Sequence, residues 1–395
     1  MGMARLGRSP ILMRKQIMKV LIAPDSFKEC LSSREVGAAI MEGVLRAAPH
    51  AHCEAIQISD GGEGFVAAIL ANKGGHERYA TVRNPLGEPV TAMWGLLEDG
   101  ATAVIEVAAA TGLHLLTREQ RNPFLAGSWG SGEVIRDALD AGARRFMIGL
   151  GGSASNDGGV GMLMALGLRA LNTAGESIAP CAQGLKELVT LDYSGLDPRL
   201  RECDITIALD VDNPLCGEQG ASAVFGPQKG ATSADVQELD RLLSHWLALN
   251  ERALGRELQA IPGGGAAGGL GMAFVGVLGA QGRKGIDLVL ELSGFDEKLK
   301  GADLVFTGEG CMDSQSLRGK APLGVAQRAQ RVGAPTIALV GALLGDAAAA
   351  RTMGLTAVFP IAPGVVTLDQ ALADAAVNLR RSAENATACF LAGRG

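Results

Sequence analysis

Apolar residues occur in short runs that alternate with segments of helical periodicity, and this pattern predicts an α/β protein. Five of the runs are separated by helical segments and have the length of short strands. They predict a flavodoxin-like parallel sheet, with strands at residues 19–23, 55–58, 303–306, 335–340 and 355–360. Helices are predicted at 36–47, 323–332 and 368–391, with Ser32 or Ser33 as the cap of the first and Glu35 placed for a capping box.

The middle of the chain is less regular, which indicates a second domain of mixed α/β structure. Its patterns predict strands at 81–84, 91–97, 103–107, 146–150 and 204–209, and helices at 130–141 and 236–253. A chain of 395 residues is long for one core. We therefore predict a flavodoxin-like domain at 18–60 plus 295–395 and an inserted domain at 61–294. Residues 1–17 form an N-terminal extension with too short an apolar stretch for a signal peptide.

The segment 145–168 carries the strongest local signal for a binding site. A buried strand ends at a glycine-rich polar loop, and a helix begins directly after it. Backbone N–H groups at the glycines and the helix N-terminus together favour an anion such as phosphate. Asp157 in this loop has two interpretations, a helix cap or a ligand for a cation. The residues predicted to hold nucleotide phosphate are Gly151, Gly152, Ser153, Ser155, Asn156 and Gly158.

Two other interpretations of this loop stay open. Gly149, Gly151 and Ala154 fit a loose dinucleotide fingerprint, although no second strand ending in an acid follows at the expected distance. The loop is also compatible with a purely structural turn. A P-loop is excluded, because no Lys-Ser/Thr follows a correctly spaced glycine pair.

Composition narrows the class of protein. The chain has 55 glycines in clusters, which indicates sites built from backbone. The net charge of −6, the lack of a basic run and the 4% of aromatic residues argue against nucleic acid and anionic membrane as partners. Seven cysteines without a CxxC motif fit the reducing cytoplasm and no structural zinc site. The uncharged stretch 262–282 is crowded with glycine, and we interpret it as a buried loop and helix rather than a membrane span.

Acids, lysines and glycines gather in loops, most of them after predicted strands, and these are the groups that phosphoryl transfer needs. A hydrolase triad is poorly supported, because the five histidines lie outside these loops. Each aspartate also has a structural interpretation as an Asx turn, and each lysine as a solvated surface residue. The loops are at 24–28, 59–64, 151–159, 210–214, 226–230 and 307–320.

Seven segments, in this order, resemble motifs of the bacterial type I glycerate kinase family: APDSFKECLSSREV, SDGGEG, VRNPLG, GGSASNDGGVGMLMALG, DVDNPLCGEQGASAVFGPQKGA, PGGGAAGGLGMA and TGEGCMDSQSLRGKAPLGVA. The resemblance runs from about residue 18 to 341 and beyond. It implies ATP-dependent phosphorylation of D-glycerate, most often to 2-phosphoglycerate, with Mg²⁺ as the metal. It also implies two α/β domains with the active site between them. One departure is Cys311-Met312-Asp313, where relatives commonly carry Arg, a hydrophobic residue and Asp.

Residue roles follow from chemistry, since the resemblance brings none with it. A general base must accept the proton of the substrate hydroxyl, and Asp60 or Asp210 would serve, with Asp313 third. The substrate carboxylate needs a cation, for which Lys28, Arg83 and Lys320 are candidates; we also place Lys28 with the catalytic residues and Lys320 with the ATP phosphates. Mg²⁺ is assigned to Asp212 and Glu309. Further substrate contacts are expected from Asp25, Ser26 and Glu309, so Glu309 is assigned to both the metal and the substrate.

Two alternative functions remain at this point. One is an NAD(P)-dependent hydroxy-acid dehydrogenase, which rests on the Gly149 fingerprint; the other is a non-catalytic sensor of a nucleotide or sugar acid. The sequence leaves open whether the 2- or the 3-hydroxyl is phosphorylated. It is compatible with a homo-oligomer and fixes no oligomeric state.

Overall fold

A computed structural model describes residues 17–28, 30–313, 320–344 and 346–394. The strands are β1 Lys19–Ile22, β2 His52–Ala55, β3 Gly75–Arg83, β4 Pro89–Leu97, β5 Thr102–Glu106, β6 Arg145–Gly149, β7 Arg169–Leu171, β8 Thr190–Asp192, β9 Asp204–Ala208, β10 Gln281–Arg283, β11 Leu304–Met312, β12 Thr336–Leu343 and β13 Ala357–Pro360. The α-helices are α1 Ser33–Ala47, α2 Phe65–Lys73, α3 Ala108–Thr111, α4 Trp129–Asp140, α5 Val160–Ala165, α6 Ala221–Phe225, α7 Ser233–Leu254, α8 Leu270–Met272, α9 Gly285–Leu292, α10 Phe295–Leu299, α11 Ala321–Arg331, α12 Ala347–Thr352, α13 Leu368–Ala373 and α14 Ala375–Ala392.

Five parallel strands form the first sheet, in the order β13-β12-β11-β1-β2. Numbered within this sheet along the chain, the order is 2-1-3-4-5, which is the flavodoxin-like order predicted from the sequence. The predicted capping box is also present, since the Ser32 hydroxyl accepts from the Glu35 N–H and the Glu35 carboxylate accepts from the Ser32 N–H. The predicted fold class is therefore confirmed for this sheet.

Several boundaries differ from the sequence prediction; β3, for example, begins at Gly75 rather than at 81, and β12 continues to Leu343 rather than 340. Strand β2 ends at Ala55, although the Ile56 N–H still donates to Ile22 O of β1 at 2.8 Å. Ile56 and Ile58, which suggested strand at 55–58, are buried in a side-chain cluster after the strand end. Strand β11 continues to Met312, past the predicted end at 306. Gly308 there lies against the Leu339 carbonyl of β12, so it allows close strand pairing rather than a turn. The predicted helix 368–391 is interrupted at Asp374, between α13 and α14.

Six strands form the second sheet, in the order β10-β9-β6-β5-β4-β3. Strands β5, β6, β9 and β10 are parallel, whereas β4 pairs antiparallel with both of its neighbours. Strands β7 and β8 pair in a small separate sheet, and neither they nor β10 was predicted. The second sheet is therefore mixed, as expected for the middle of the chain.

The two sheets are joined by one cluster of buried side chains. It contains Leu21 and Val305 from the first sheet, Val104 from the second, and Phe65 of α2 and Ile286 of α9 between them. The strands of the first sheet come from both ends of the chain and those of the second from its middle. The domain limits 18–60 plus 295–395 and 61–294 stay a prediction, and the extension 1–17 lies outside the described residues except for Ile17. Among the helices described, none is long and apolar enough to cross a membrane.

Candidate active site

The loops that follow parallel strands of both sheets meet at one place. The loop after β2 lies against the loop after β6, where Gly151 N–H donates to Gly61 O at 3.4 Å. On the first sheet, Asp25 N–H after β1 donates to Gly308 O of β11 at 2.8 Å. Because the carboxyl ends of parallel strands share one edge, each of these loops brings its polar side chains to the same junction.

Glycines allow these loops to touch backbone to backbone. A Cβ at Gly151 would lie 2.6 Å from the Gly62 Cα. A Cβ at Gly285 would overlap the Asp60 carbonyl oxygen and lie 2.9 Å from Asp210 Oδ2. Any larger residue at either position would therefore push the acid-bearing loops apart.

We expect Gly285→Ala to lower kcat by roughly ten- to a hundredfold, because an ångström-scale displacement of reacting groups has effects of this size. Gly364→Ala is the matched control, since a Cβ at that exposed glycine meets no atom within 4 Å of the described structure. Steady-state kinetics and the melting temperature of both variants check the prediction. A Gly285→Ala enzyme with the wild-type kcat would contradict it.

Asp25 is the most strongly perturbed acid at the junction. Desolvation, the Asp60 carboxylate and the Glu309 carboxylate raise its pKa to about 8, against the lowering effects of the Ser26 N–H and of Lys28. The Ser26 N–H donates to Asp25 Oδ1 at 2.7 Å. The structure thus brings Asp25, Ser26, Asp60 and Glu309 together, as the sequence interpretation requires.

Asp210 faces Asp60 from the second sheet. Its Oδ1 accepts from the Gly285 N–H at 2.9 Å. Desolvation and the Asp60 carboxylate raise the pKa of Asp210 to about 7, partly offset by that hydrogen bond and by Lys284. The residue still reaches solvent, so a ligand in the junction could touch it. Asp60, whose Oδ1 accepts from the Gly62 N–H at 3.1 Å, is the carboxylate that acts on both Asp25 and Asp210.

Two residues of this region were missed by the sequence analysis. Lys284 is an exposed cation next to Asp210, just before α9. Glu106 ends β5 and accepts from the Val66 N–H at 2.8 Å, which caps α2; desolvation raises its pKa to about 7. The rule that found Asp25 and Asp60, an acid at the carboxyl end of a parallel strand, would also have found Glu106.

The candidate cations occupy different positions. Lys28 is exposed at the rim and acts on Asp25, while Lys320 begins α11 and acts on Cys311 near Glu309 and Asp313. A cavity of about 300 Å³ opens beside the junction. Its walls include Ser26, Lys28, Ser33, Gln57, Glu63 and Gly64.

Arg83 and Asp212 lie apart from the contacts that define the junction. The Arg83 guanidinium stacks over Trp129 at 4.6 Å and pairs with Glu133 Oε1 at 3.7 Å. Asp212 is exposed two residues beyond Asp210. Among the described residues, no group of three or more His, Cys, Asp or Glu is arranged as a ready metal site, so Asp212 and Glu309 do not form one with a third ligand.

The glycine loop 151–159 turns most of its polar groups inward. Gly152 is exposed and Gly151 partly so, but Ser153 is only 5% exposed and Ser155 and Asn156 are fully buried. Asn156 Nδ2 donates to Ser222 Oγ at 2.9 Å, and the buried Gly158 N–H donates to Gly268 O. In this conformation Gly151 and Gly152 are the predicted phosphate ligands of this loop that present open surface to a ligand in the junction.

Asp157 was interpreted from the sequence as a helix cap or a cation ligand, and in the structure its carboxylate caps helices. Its carboxylate accepts from the N–H groups of Gly159 and Gly161 at 3.0 and 3.2 Å, and from the N–H and hydroxyl of Ser128. These bonds tie the starts of α4 and α5 to the loop. Lys229, interpreted from sequence as a surface residue or a phosphate ligand, is in fact 2% exposed.

The fold and the site define an α/β enzyme whose acid-lined, glycine-bordered junction suits an anionic small molecule and a phosphate donor. Residues 20–391 match the model of the glycerate kinase family, and the chain belongs to this family.

Individual relatives agree with this assignment. Glycerate kinase of Bacillus subtilis (strain 168) is 47% identical over 94% of this chain and 97% of its own. Glycerate 2-kinase of Escherichia coli (strain K12) is 45% identical over 95% of this chain and 99% of its own. A crystal structure of a Salmonella typhimurium LT2 protein, provisionally named glycerate kinase 2, is 45% identical with a TM-score of 0.84, over 96% of this chain and all of that one. The resemblance seen in the sequence motifs is confirmed.

Proposed function

We propose that this protein transfers the γ-phosphoryl group of ATP to D-glycerate and gives 2-phosphoglycerate. The observation that carries the proposal is the meeting of Asp25, Asp60 and Asp210 beside the accessible glycines of the loop 151–159. The name of the Escherichia coli relative, glycerate 2-kinase, supports the choice of the 2-hydroxyl. The comparisons give no support to a dehydrogenase or a non-catalytic sensor.

Asp210 is the proposed general base. A base works best when its pKa lies near the working pH, and the pKa of Asp210 is raised to about 7. It would accept the proton of the attacking hydroxyl at a carboxylate oxygen. Lys28 at the rim is the proposed partner of the glycerate carboxylate, and the N–H groups of Gly151 and Gly152 the partners of a phosphate.

Mg²⁺ fits the negative charge that Asp25, Asp60 and Glu309 concentrate at the junction. Magnesium in kinase sites is held by one or two carboxylates, with phosphate oxygens and water completing the shell, so a ready three-ligand site is not required. Asp60 and Glu309 raise the proton affinity of Asp25, and a divalent cation would relieve this repulsion. When bound, it would neutralise charge on the transferred phosphoryl group. We therefore withdraw Asp212 as a proposed metal contact and propose that one or two of the carboxylates of Asp25, Asp60 and Glu309 hold the ion.

The test is ADP release from ATP and Mg²⁺ in the presence of D-glycerate, with phosphorus NMR of the product. We expect turnover and a 2-phosphate; a 3-phosphate would correct the regiochemistry, and no ADP release would contradict the function. Incubation with NAD or NADP and glycerate should give no reduced cofactor. Since ATP is the cosubstrate and the described cysteines form no disulfide, we place the reaction in the cytoplasm.

A further inference from the structure

Lys229 is a buried cation beneath the glycine loop. It ends a short 3₁₀ turn, Pro227–Lys229, and its ammonium group donates to the Ser155 carbonyl at 2.6 Å. Desolvation lowers its pKa to about 8, so it is mainly charged at neutral pH. A buried lysine is costly to the fold unless its charge is compensated.

Asp157 provides that compensation. Its carboxylate raises the pKa of Lys229 against the effect of burial, although the two side chains form no ion pair among the described residues. Burial raises the pKa of Asp157 as well. Asp157 is itself held by the four donors at Ser128, Gly159 and Gly161. The hydrogen bond to the Ser155 carbonyl therefore fixes the position of the ammonium group, and the anchored Asp157 carboxylate acts on its charge.

Short contacts connect Lys229 to the exposed turn. The Ser155 N–H donates to Ser153 Oγ at 3.2 Å, and the two hydroxyl oxygens lie 3.0 Å apart. The next residue towards the junction is Gly152, whose carbonyl accepts from the Leu113 N–H at 2.8 Å. Gly151 then packs on Gly62. A displacement at Ser155 would thus be passed to the glycines at the junction.

We propose that Lys229 is a positioning residue that holds the turn at Gly151 and Gly152 in place to receive the phosphates of the nucleotide. This inference rests on the proposed function and deepens it. The positive charge of the ammonium group strengthens its hydrogen bond to the Ser155 carbonyl. The ammonium group itself is too buried to touch the nucleotide, so its action passes through the loop.

The test compares Lys229→Met with Lys300→Met, an exposed lysine paired with Glu297. The readouts are the dissociation constant of AMP-PNP with Mg²⁺, KM for both substrates and the melting temperature. We expect Lys229→Met to weaken AMP-PNP binding about tenfold or more, a change of about 1.4 kcal/mol. KM for ATP should rise while KM for D-glycerate stays within about twofold of wild type. The Lys300→Met control should match wild type in the AMP-PNP dissociation constant and in both KM values.

A pH series separates charge from packing. The ratio of the Lys229→Met to the wild-type dissociation constant should be largest at pH 7 and fall above pH 9, because wild-type Lys229 then loses its proton. It should stay above one there, because a neutral lysine can still donate to the Ser155 carbonyl and methionine cannot. Titration of Asp25 and Asp210 occurs in both proteins and cancels in the ratio. A ratio near one at pH 7, or one that does not change with pH, would overturn the proposal.

Lys229→Gln serves as the second variant, since its amide can still donate to the Ser155 carbonyl without the charge. We expect it to keep part of the affinity that Lys229→Met loses. If neither variant folds, the proposal is overturned, because Lys229 is then required for the fold itself. AMP-PNP binding does not need glycerate, so this result is independent of whether the wild-type enzyme phosphorylates D-glycerate.

Discussion

Asp210→Asn should lower kcat by roughly two to four orders of magnitude, the range expected when a general base is lost. In the wild type, only the deprotonated Asp210 can accept the hydroxyl proton. Since its pKa is raised to about 7, kcat should increase with pH from 6 to 8 with an apparent pKa near 7. The residual activity of Asp210→Asn should lack this increase. A pH series of kcat for both enzymes measures the effect.

Glu218→Gln is the matched control, an exposed acid on the segment that follows the same strand. It should keep the wild-type kcat and pH profile. If Asp210→Asn keeps the increase near pH 7, another group is the base, and Asp60→Asn is the next variant to measure. A kcat within tenfold of wild type would exclude Asp210 from the role.

Asp25→Asn should lose most of its activity and gain stability in alkaline solution. The pKa of Asp25 is raised from 3.8 to about 8, so the folded protein holds a proton that the unfolded chain has lost. Its contribution to stability is therefore highest below the unfolded pKa and falls as pH rises towards 8, above which the full penalty remains. Asparagine removes the penalty. We expect the melting temperature at pH 9 to exceed that of wild type by roughly 3 °C, with a smaller difference at pH 5.

Magnesium gives the same variant a second readout. Without nucleotide, Mg²⁺ at pH 8 should raise the melting temperature of wild type, because it relieves the repulsion among the acids, and should raise that of Asp25→Asn much less. Asp303→Asn is the control of opposite sign, since the Lys19 N–H and Arg394 hold the pKa of Asp303 below its usual value. That variant should be less stable than wild type at pH 7. A destabilised Asp25→Asn at pH 9 would contradict the account of Asp25.

Local patterns in the sequence predicted most of the features that depend on interactions between residues near each other in the chain. The capping box at Ser32 and Glu35 formed as expected, because both partners lie within one helical turn. Glycine has two structural roles in this protein, and the sequence alone does not distinguish them. At Gly151 it borders the site, whereas at Gly308 it lets β11 pair closely with β12, which is a contact with a residue far along the chain.

The candidate site also contains residues that the sequence could identify and others whose burial only the structure showed. Asp25, Asp60 and Asp210 could be selected because each follows an apolar strand, and sheet geometry requires such residues to share an edge. Ser155, Asn156 and Lys229 carry the same polar character in the sequence but are buried. Whether a polar residue meets solvent or another buried group depends on what packs over it, and that is set by segments such as 221–231 that lie far along the chain.

The sequence by itself determined the flavodoxin-like strand order, the family and the acids at the strand ends, because periodicity and motif order are local properties of the chain. Only the tertiary structure decided which of these acids lie close enough to interact electrostatically and which lysine is buried. The pKa of Asp25 rises because burial takes its carboxyl group away from water and because Asp60 and Glu309, from other parts of the chain, are brought beside it. Such proximity depends on the pairing of β1 with β2 and β11 in the first sheet, which joins residues that are far apart in the sequence.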